Sequence, residues 1–546
     1  MKFPALGKKS AVSLFLSSLI LFVTLALAGA LPPIPSAAVN SITPKELKQH
    51  LSYIASDELG GRFTISKGNR ATARYLASQL EKYGYRGAAN GSFFQKIVFN
   101  ATGADPEKTG LMLTANGQSR RFKVNADFGV NVITDNSFAG ELVFVGFGIA
   151  ATDKDGKPYD DYANLDVKGR FVVALGPSKE PPKELGKTSW RAVSYGPSLA
   201  QARGAAGFIR LPTEQTIKHW EFVIESPSAN GTRYVMAKLD QSNPNEPPRA
   251  GNPFPVITAG ADLTKAILAG TGKSLKDIIE ASNKGVSVSL NLAGKSIKLT
   301  TGYRRWQEET QNVVGILEGS DPLLKNEYVG LGAHYDHLAI SPTGQVYNGA
   351  DDDGSGTVAV LEIAQAFTTS RPRRSILAIF HTGEEIGLLG SRYFADFEPL
   401  VPMDKIVAVF NIDMIGRARE PGNTAEEDRE LTDADTVYLI GSDRLSTELH
   451  RISEETNAEM TRMKFDYLYN SPTDKNNFYG RSDHYNYAKH GIPIIFYFTG
   501  VHVDYHRPTD DIEKIDFEKM ARIARTIFGT SWRVANLDHR VVVDKK

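Results

Sequence analysis

The 546-residue chain contains no cysteine. No disulfide can staple it, no thiolate can serve as nucleophile or ligand, and no lipid can be anchored on an N-terminal cysteine. Charge of one sign is not in excess either: Lys plus Arg and Asp plus Glu both number 63, so no global basic field draws the chain to nucleic acid. HExxH, GxSxG, P-loop and dinucleotide-fingerprint stretches are all absent, which excludes the single-zinc helical metallopeptidases, the serine hydrolase elbow and the common nucleotide cradles. After Ala28 no apolar run reaches the ~20 residues that span a bilayer. There is no internal repeat and no long low-complexity tract. A hydrophobic share of 41% and a charged share of 23% are those of a globular protein with ample core, and the length suggests roughly two to four domains.

What is present begins with Lys2, Lys8 and Lys9, followed by an apolar run from Ala11 to Ala28. This is the pattern of an export signal. Ala26-Leu27-Ala28 offers a small-residue cleavage site and Ala28-Gly29-Ala30 an alternative, with an uncleaved anchor as the competing reading. Residues 1–28 are read as a signal peptide. The mature protein is then secreted or periplasmic, without stable membrane association.

Helical patterns run over about 44–56 and 69–83, separated by the glycine-broken loop Asp57 to Gly68. The middle of the chain has another texture. Short strands are expected at 141–149 and 170–175, a helix, glycine break and strand over 198–211, and proline-rich connectors at 177–183 and 242–255. No ligand-type cluster occurs there. The expected organisation is a first part at 44–125, an inserted accessory domain at 126–285 and a catalytic part at 286–546. In the last part strands near 286–292, 327–333, 375–381, 406–412 and 493–499 alternate with helices near 354–369, 444–456 and 516–529. That alternation predicts an α/β fold: a mixed, mostly parallel sheet sandwiched by helices.

Five phrases in this last part carry chemistry: GAHYDHL, NGADDDGSG, HTGEEIGLLGS, NIDMIG and DYHRPTDD. They supply His334, Asp352, Glu385, Asp413 and His506, two imidazoles and three carboxylates. That set suits two divalent ions sharing one carboxylate, and an N/O donor set without sulfur favours zinc or a similar ion. His334, Glu385 and Asp413 each follow a predicted strand, at the carboxyl ends where open α/β sheets hold their ligands. Asp351, Asp352 and Asp353 precede a glycine-started helix. A helix cap explains one acid but not three, and Asp352 is read as the bridging ligand with Asp353 or Ser355 as the cap. Glu384, next to Glu385, is read as the general base that later protonates the leaving amine. Asp336 orients a ligand, and Asp510 and Asp511 are candidates to orient His506. His337, His381, His484 and His502 are assigned to structural or supporting places, since a lone histidine is more often structural than ligating.

These phrases resemble the M28 metallopeptidases, an aminopeptidase family that includes relatives of glutamate carboxypeptidase, over about 44–110 and 300–530. The resemblance implies two Zn2+ per chain. His334, Asp352 and Asp413 would hold one, and Asp352, Glu385 and His506 the other. It also implies Glu384 as general base, Asp336 as the ligand-orienting aspartate and a cis Asp352–Asp353 peptide. VKGRFVVAL (167–175) and AQARGAAGFIRL (200–211) resemble an inserted, mainly-β protease-associated domain. The implied activity is removal of N-terminal residues from peptide substrates, with water activated between the two metals. SDHYNY and TGVHVDYH add tyrosines and His502 as candidates to bind the oxyanion. Competing readings are a carboxypeptidase or dipeptidase of the same fold, for which Arg417 is a candidate to hold the substrate carboxylate, a glutaminyl cyclase-like transferase, and a non-catalytic scaffold.

Overall fold

The computed structural model describes residues 31–152, 155–176, 185, 194–244, 246–248 and 253–545. The expected signal segment 1–28 and the connector 177–183 lie outside the described residues. Four apolar runs, Ser375–His381, Tyr328–His334, Ile406–Ile412 and Ile494–Phe498, lie side by side in parallel at the centre of a ten-stranded sheet. Nearly every residue in them is buried, as it must be in parallel strands covered on both faces. Antiparallel pairing flanks this centre, with one further parallel pair, Thr436–Ile440 with Lys464–Asp466, at an edge. Tyr303–Leu317 pairs with Ser375–His381 on one side, and Thr436–Ile440 with Ile494–Phe498 on the other. The fold is therefore mixed α/β with most of its parallel pairing in the middle.

Side chains alternate across this sheet. Val329, Leu331, Ala333, Ala378 and Phe380 share one core with the helices Pro44–Ile54, Gly356–Thr369 and Phe517–Asn536. Leu377, Ile379 and Val409 pack on the other face against Phe394, Tyr487 and Ala488. The local chemistry sets the helix starts. Thr43 accepts from the backbone N–H of Glu46 at 3.2 Å, with Pro44 in the first turn. Gly356–Thr369 is buried on almost all sides, so its length is set by packing rather than by propensity.

The middle of the chain builds a second sheet of eight strands with its own core, among them Leu111, Phe128, Phe171, Ile209, Ile257 and Leu299. Asn136–Phe144, Phe171–Ala174, Gly207–Arg210 and Val256–Ala259 run parallel in it. This sheet reaches beyond 126–285, taking in Gly110–Ala115, Gln118–Lys123 and Lys295–Thr301. The first two form a hairpin turned by Asn116 and Gly117, both at positive φ (51° and 77°), the mirror-image turn that matches strand twist. The two sheets are joined through the long strands Phe94–Ala104 and Tyr303–Leu317, which pair from Ala104↔Tyr303 to Phe94↔Val313. Arg233–Met236 returns from the middle region to the edge of the first sheet. Among the described residues no helix is long and apolar enough to cross a membrane.

Candidate metal centre

Each central parallel strand delivers a polar residue at or just past its carboxyl end. His334 closes its strand, Glu384 and Glu385 follow His381, and Asp413 follows Ile412. Asp352 comes from the turn before the buried helix and His506 from the loop after Ile494–Phe498. Asp352 sits between two groups of side chains. Its Oδ1 lies 3.3 Å from His334 Nε2, and its Oδ2 lies 3.1 Å from His506 Nε2. His334 Nε2 is 3.6 Å from Asp413 Oδ1 and 3.8 Å from Glu384 Oε2, while His506 Nε2 is 3.1 Å from Glu385 Oε2. All five sequence-derived ligand candidates and Glu384 thus meet in one place. One feature differs from the expected set: His337 Nδ1 approaches Glu385 Oε1 to 2.7 Å.

The three consecutive acids divide their work. Asp353 caps the helix, accepting from Gly356 N at 2.9 Å, and also takes the N–H of Met414 and His334. Ser355 instead donates to the Asp351 carbonyl. Asp351 accepts from Gly416 N at 2.6 Å and faces His502 Nε2 at 3.2 Å. Asp352 is left to the cluster, and the Asp352–Asp353 peptide is cis. Asp336 spans two site residues: its backbone carbonyl meets His334 Nδ1 at 3.1 Å, and its Oδ1 accepts the Glu384 N–H at 3.2 Å. Thr64 donates to its Oδ2 at 2.8 Å. Ser482 donates to Asp413 Oδ2 at 2.7 Å.

Several expectations are corrected here. Asp510 accepts the backbone N–H groups of Asp351 and Asp352, and Asp511 accepts from Asn348, so neither orients His506. The His506 ring stacks instead on Tyr505, centroids 3.9 Å apart. His502 is spent on Asp351, which removes it as an oxyanion donor. Arg417 pairs with Asp504 at 3.0 Å, so it is not a spare cation for a substrate carboxylate. Of the tyrosines, Tyr505 lines the site, whereas Tyr487 is buried on His381. Arg62 receives no role from the sequence reading, yet it is 1% exposed and donates to the carbonyls of Tyr335, Ile54, Asn348 and Gly349.

The electrostatics match the crowding. Burial, with the charges of Asp413 and Glu385, pushes Glu384 well above the usual carboxylate range. Burial and Asp413 do the same to Asp353. Burial acts to raise Asp352 too, but contact with His334 and His506 outweighs it and holds Asp352 low. Asp352 Oδ2, Glu385 Oε1 and both ring nitrogens of His337 are buried without a hydrogen-bond partner. Uncompensated buried charges of this kind cost several kcal/mol each. Their donor atoms form two groups, His334, Glu384 and Asp413, and His337, Asp352 and Glu385, each within 4.8 Å. Orphaned N and O donors around a shared carboxylate fit divalent cations. His334, Asp352, Glu384 and Asp413 open onto a cavity of about 40 Å³ walled by Met414, Phe478, Phe496, Phe498, Val501 and Tyr505, with Arg481 beside it.

His484 shows the contrasting, structural use of imidazole. It stacks on Phe496 at 4.6 Å and donates from Nε2 to the Tyr479 carbonyl at 2.7 Å. Burial lowers its pKa to about 3. A histidine held neutral in the fold but titrating near 6.5 unfolded contributes stability above that pH and loses it as pH falls toward 3. Between pH 6.5 and 5 the wild type should lose about 1.6 kcal/mol more than His484→Gln, the slope rising toward roughly 1.4 kcal/mol per unit as the unfolded ring becomes protonated. Urea midpoints at the two pH values read this difference, and equal losses in both proteins would refute it.

Residues 312–531 match the family model described as Peptidase family M28. The chain is 30% identical over 208 residues to a probable leucine aminopeptidase 2 of Aspergillus oryzae, a stretch covering 38% of this chain and 36% of that protein. It is 27% identical over 245 residues to an aminopeptidase of Bacillus subtilis, covering 44% and 48%. The match thus spans less than half the length of these curated relatives. Among solved structures, an aminopeptidase from Aneurinibacillus sp. strain AM-1 aligns over 93% of this chain and 97% of that one, at 16% identity and a TM-score of 0.44.

Proposed function

Residues 312–531 of this chain belong to peptidase family M28, and on that premise we propose that the protein is an exported di-zinc aminopeptidase that removes N-terminal residues from peptides. The observation that carries this reading is the cluster of imidazoles and carboxylates gathered on either side of Asp352, with Asp352 Oδ2 and Glu385 Oε1 buried and without a hydrogen-bond partner. His334, Asp352 and Asp413 would hold one ion, and Asp352, Glu385 and His506 the other. Bound zinc supplies a Lewis acid and makes water acidic enough to act near neutral pH.

The chain's own residues do the rest. Glu384 is the acid beside the cavity whose side chain is more open, 12% exposed against 4% for Glu385. It takes the proton of the attacking water and delivers it to the leaving amine. Asp336 positions His334 and the Glu384 backbone together. Tyr505, which lines the cavity, is read as the tyrosine that meets the developing oxyanion. The apolar walls supplied by Phe478, Phe496, Phe498 and Val501 favour an apolar N-terminal side chain.

The second sheet is read as a protease-associated domain that shapes access. Two contacts support this. Ser226 donates to the Ile340 carbonyl at 2.7 Å and Thr213 to the Thr343 carbonyl at 2.6 Å, so the insert rests on the loop that follows His337.

One observation favours a second reading. The Arg481 guanidinium stacks on Phe478 at 4.7 Å and pairs with no carboxylate among the described residues. A carboxypeptidase would use such a cation. The deciding experiment is hydrolysis of aminoacyl-p-nitroanilides beside N-acetylated and C-terminally blocked peptides, with and without chelator. The expected result is chelator-sensitive cleavage that needs a free N-terminus and is fastest for leucine, methionine and phenylalanine. A requirement for a free C-terminus would move the assignment to carboxypeptidase, with Arg481 as the carboxylate clamp.

A further inference from the structure

Histidines that serve structure in this protein have visible partners. His381 meets Tyr487 Oη at 2.9 Å, His484 meets the Tyr479 carbonyl at 2.7 Å, and His502 Nδ1 accepts the Asp504 N–H at 3.3 Å. His337 breaks that pattern. Its side chain is fully buried and neither ring nitrogen makes a hydrogen bond. Buried polar atoms are seldom left so.

Its Nδ1 nevertheless lies 2.7 Å from Glu385 Oε1 and 3.8 Å from Asp352 Oδ2, and both of those oxygens are also without a hydrogen bond. These donor atoms of His337, Asp352 and Glu385 all lie within 4.8 Å of one another, close enough to share one ion. His506 Nε2 reaches the same two carboxylates at 3.1 Å each. The two rings stand edge-on, centroids 5.9 Å apart.

The position of His337 is also enforced. Its backbone N–H donates to the Arg62 carbonyl at 3.2 Å. Its ring lies over Gly349, where an added Cβ would come 2.5 Å from ring carbons Cγ and Cδ2. Gly349 has φ +54°, so the loop that brings in the acid run is shaped to admit this imidazole. The ring is held against the cluster rather than swept into it by chance.

We infer that His337 is itself a metal ligand, joining Asp352, Glu385 and His506 around one ion. The inference rests on the two-metal reading above. It makes the two halves unequal. The half with His337 has four protein donors and closes around its ion, as structural zinc sites do. The half with His334, Asp352 and Asp413 has three and keeps an open position, as catalytic sites do. The closed half should bind more tightly and survive chelator longer.

The absence of cysteine supplies a clean test. In His337→Cys the only thiol of the chain stands at the position in question, and a thiolate on cobalt gives an intense near-ultraviolet charge-transfer band. The full-length protein, stripped of metal, is titrated with Co2+ and separately with Zn2+ against a chromophoric chelator. The expected results are a thiolate–cobalt band in His337→Cys, saturating at one equivalent. In His337→Ala one of two zinc equivalents should weaken by about 100-fold, with the other unchanged. Circular dichroism confirms that each variant is folded. Two wild-type equivalents with no thiolate band, and unweakened zinc in His337→Ala, would overturn the inference while leaving the two-metal reading intact. A wild type that takes up no stoichiometric metal would overturn both.

Discussion

Glu384→Gln should lower kcat by about 10²–10⁴-fold, the usual contribution of a positioned general base, while zinc content stays at the wild-type level. Glutamine keeps the size of the side chain and its seat beside the cavity, where Glu384 Oε2 lies 3.8 Å from His334 Nε2. It cannot accept a proton at any accessible pH, so only the transfer step is removed. KM should change little, because nothing that holds the substrate is lost. Glu385→Gln gives the contrasting outcome. That side chain touches both His337 and His506, and its substitution should release metal as well as activity. Steady-state kinetics combined with metal analysis of both variants separates the roles. Loss of zinc from Glu384→Gln would make Glu384 a ligand with His334 and Asp413, a grouping its distances allow. Undiminished kcat would remove it from the chemistry altogether.

The site is legible in the sequence because its residues stand at a recurrent structural boundary. A run of apolar residues that ends in histidine or acid marks the carboxyl end of a buried strand, and three such ends, at His334, Glu385 and Asp413, neighbour one another in the sheet. The bridging Asp352 is legible for another reason: three adjacent acids exceed what one helix cap can use. His337 is not legible, because spacing cannot distinguish an imidazole aimed at Glu385 from one packed on Gly349. The partners of Arg417 and His502 are hidden because Asp504 and Asp351 are brought to them by the tertiary fold. The outer hairpin of the second sheet escapes notice because Gln118–Lys123 buries only Phe122, although Asn116-Gly117 is itself a hairpin signal. Long-range partnership is what the one-dimensional pattern lacks, and Arg62 is an instance of it, 287 residues from the Gly349 carbonyl it binds.

Arg62→Leu should therefore destabilise the protein by about 3–5 kcal/mol, the penalty for breaking a buried, hydrogen-bonded charge, and weaken metal binding with it. The guanidinium donates from Nε to Tyr335 O and from Nη2 to Gly349 O, both at 2.9 Å. Nη1 is shared between Ile54 O and Asn348 O. Leucine fills part of the volume but takes the guanidinium's donors from all four carbonyls, of which Gly349 O keeps the Gly354 N–H at 3.1 Å. Burial pulls the arginine's pKa down, and the charges of Asp352, Asp353, Asp510 and Asp336 oppose that. The cation thus also offsets the acid run that the fold gathers for metal. Asn348 and Gly349 lead directly into Asp351, Asp352 and Asp353, so the same bonds that stabilise the core set the height at which Asp352 is presented. Arg62→Lys keeps the charge but cannot span four acceptors with one ammonium, and should lie between leucine and wild type in urea midpoint. Zinc affinity should fall in the same order. If Arg62→Leu unfolded at the wild-type midpoint, the four carbonyls would have to find other donors, and Arg62 could not be what holds the acid run in place.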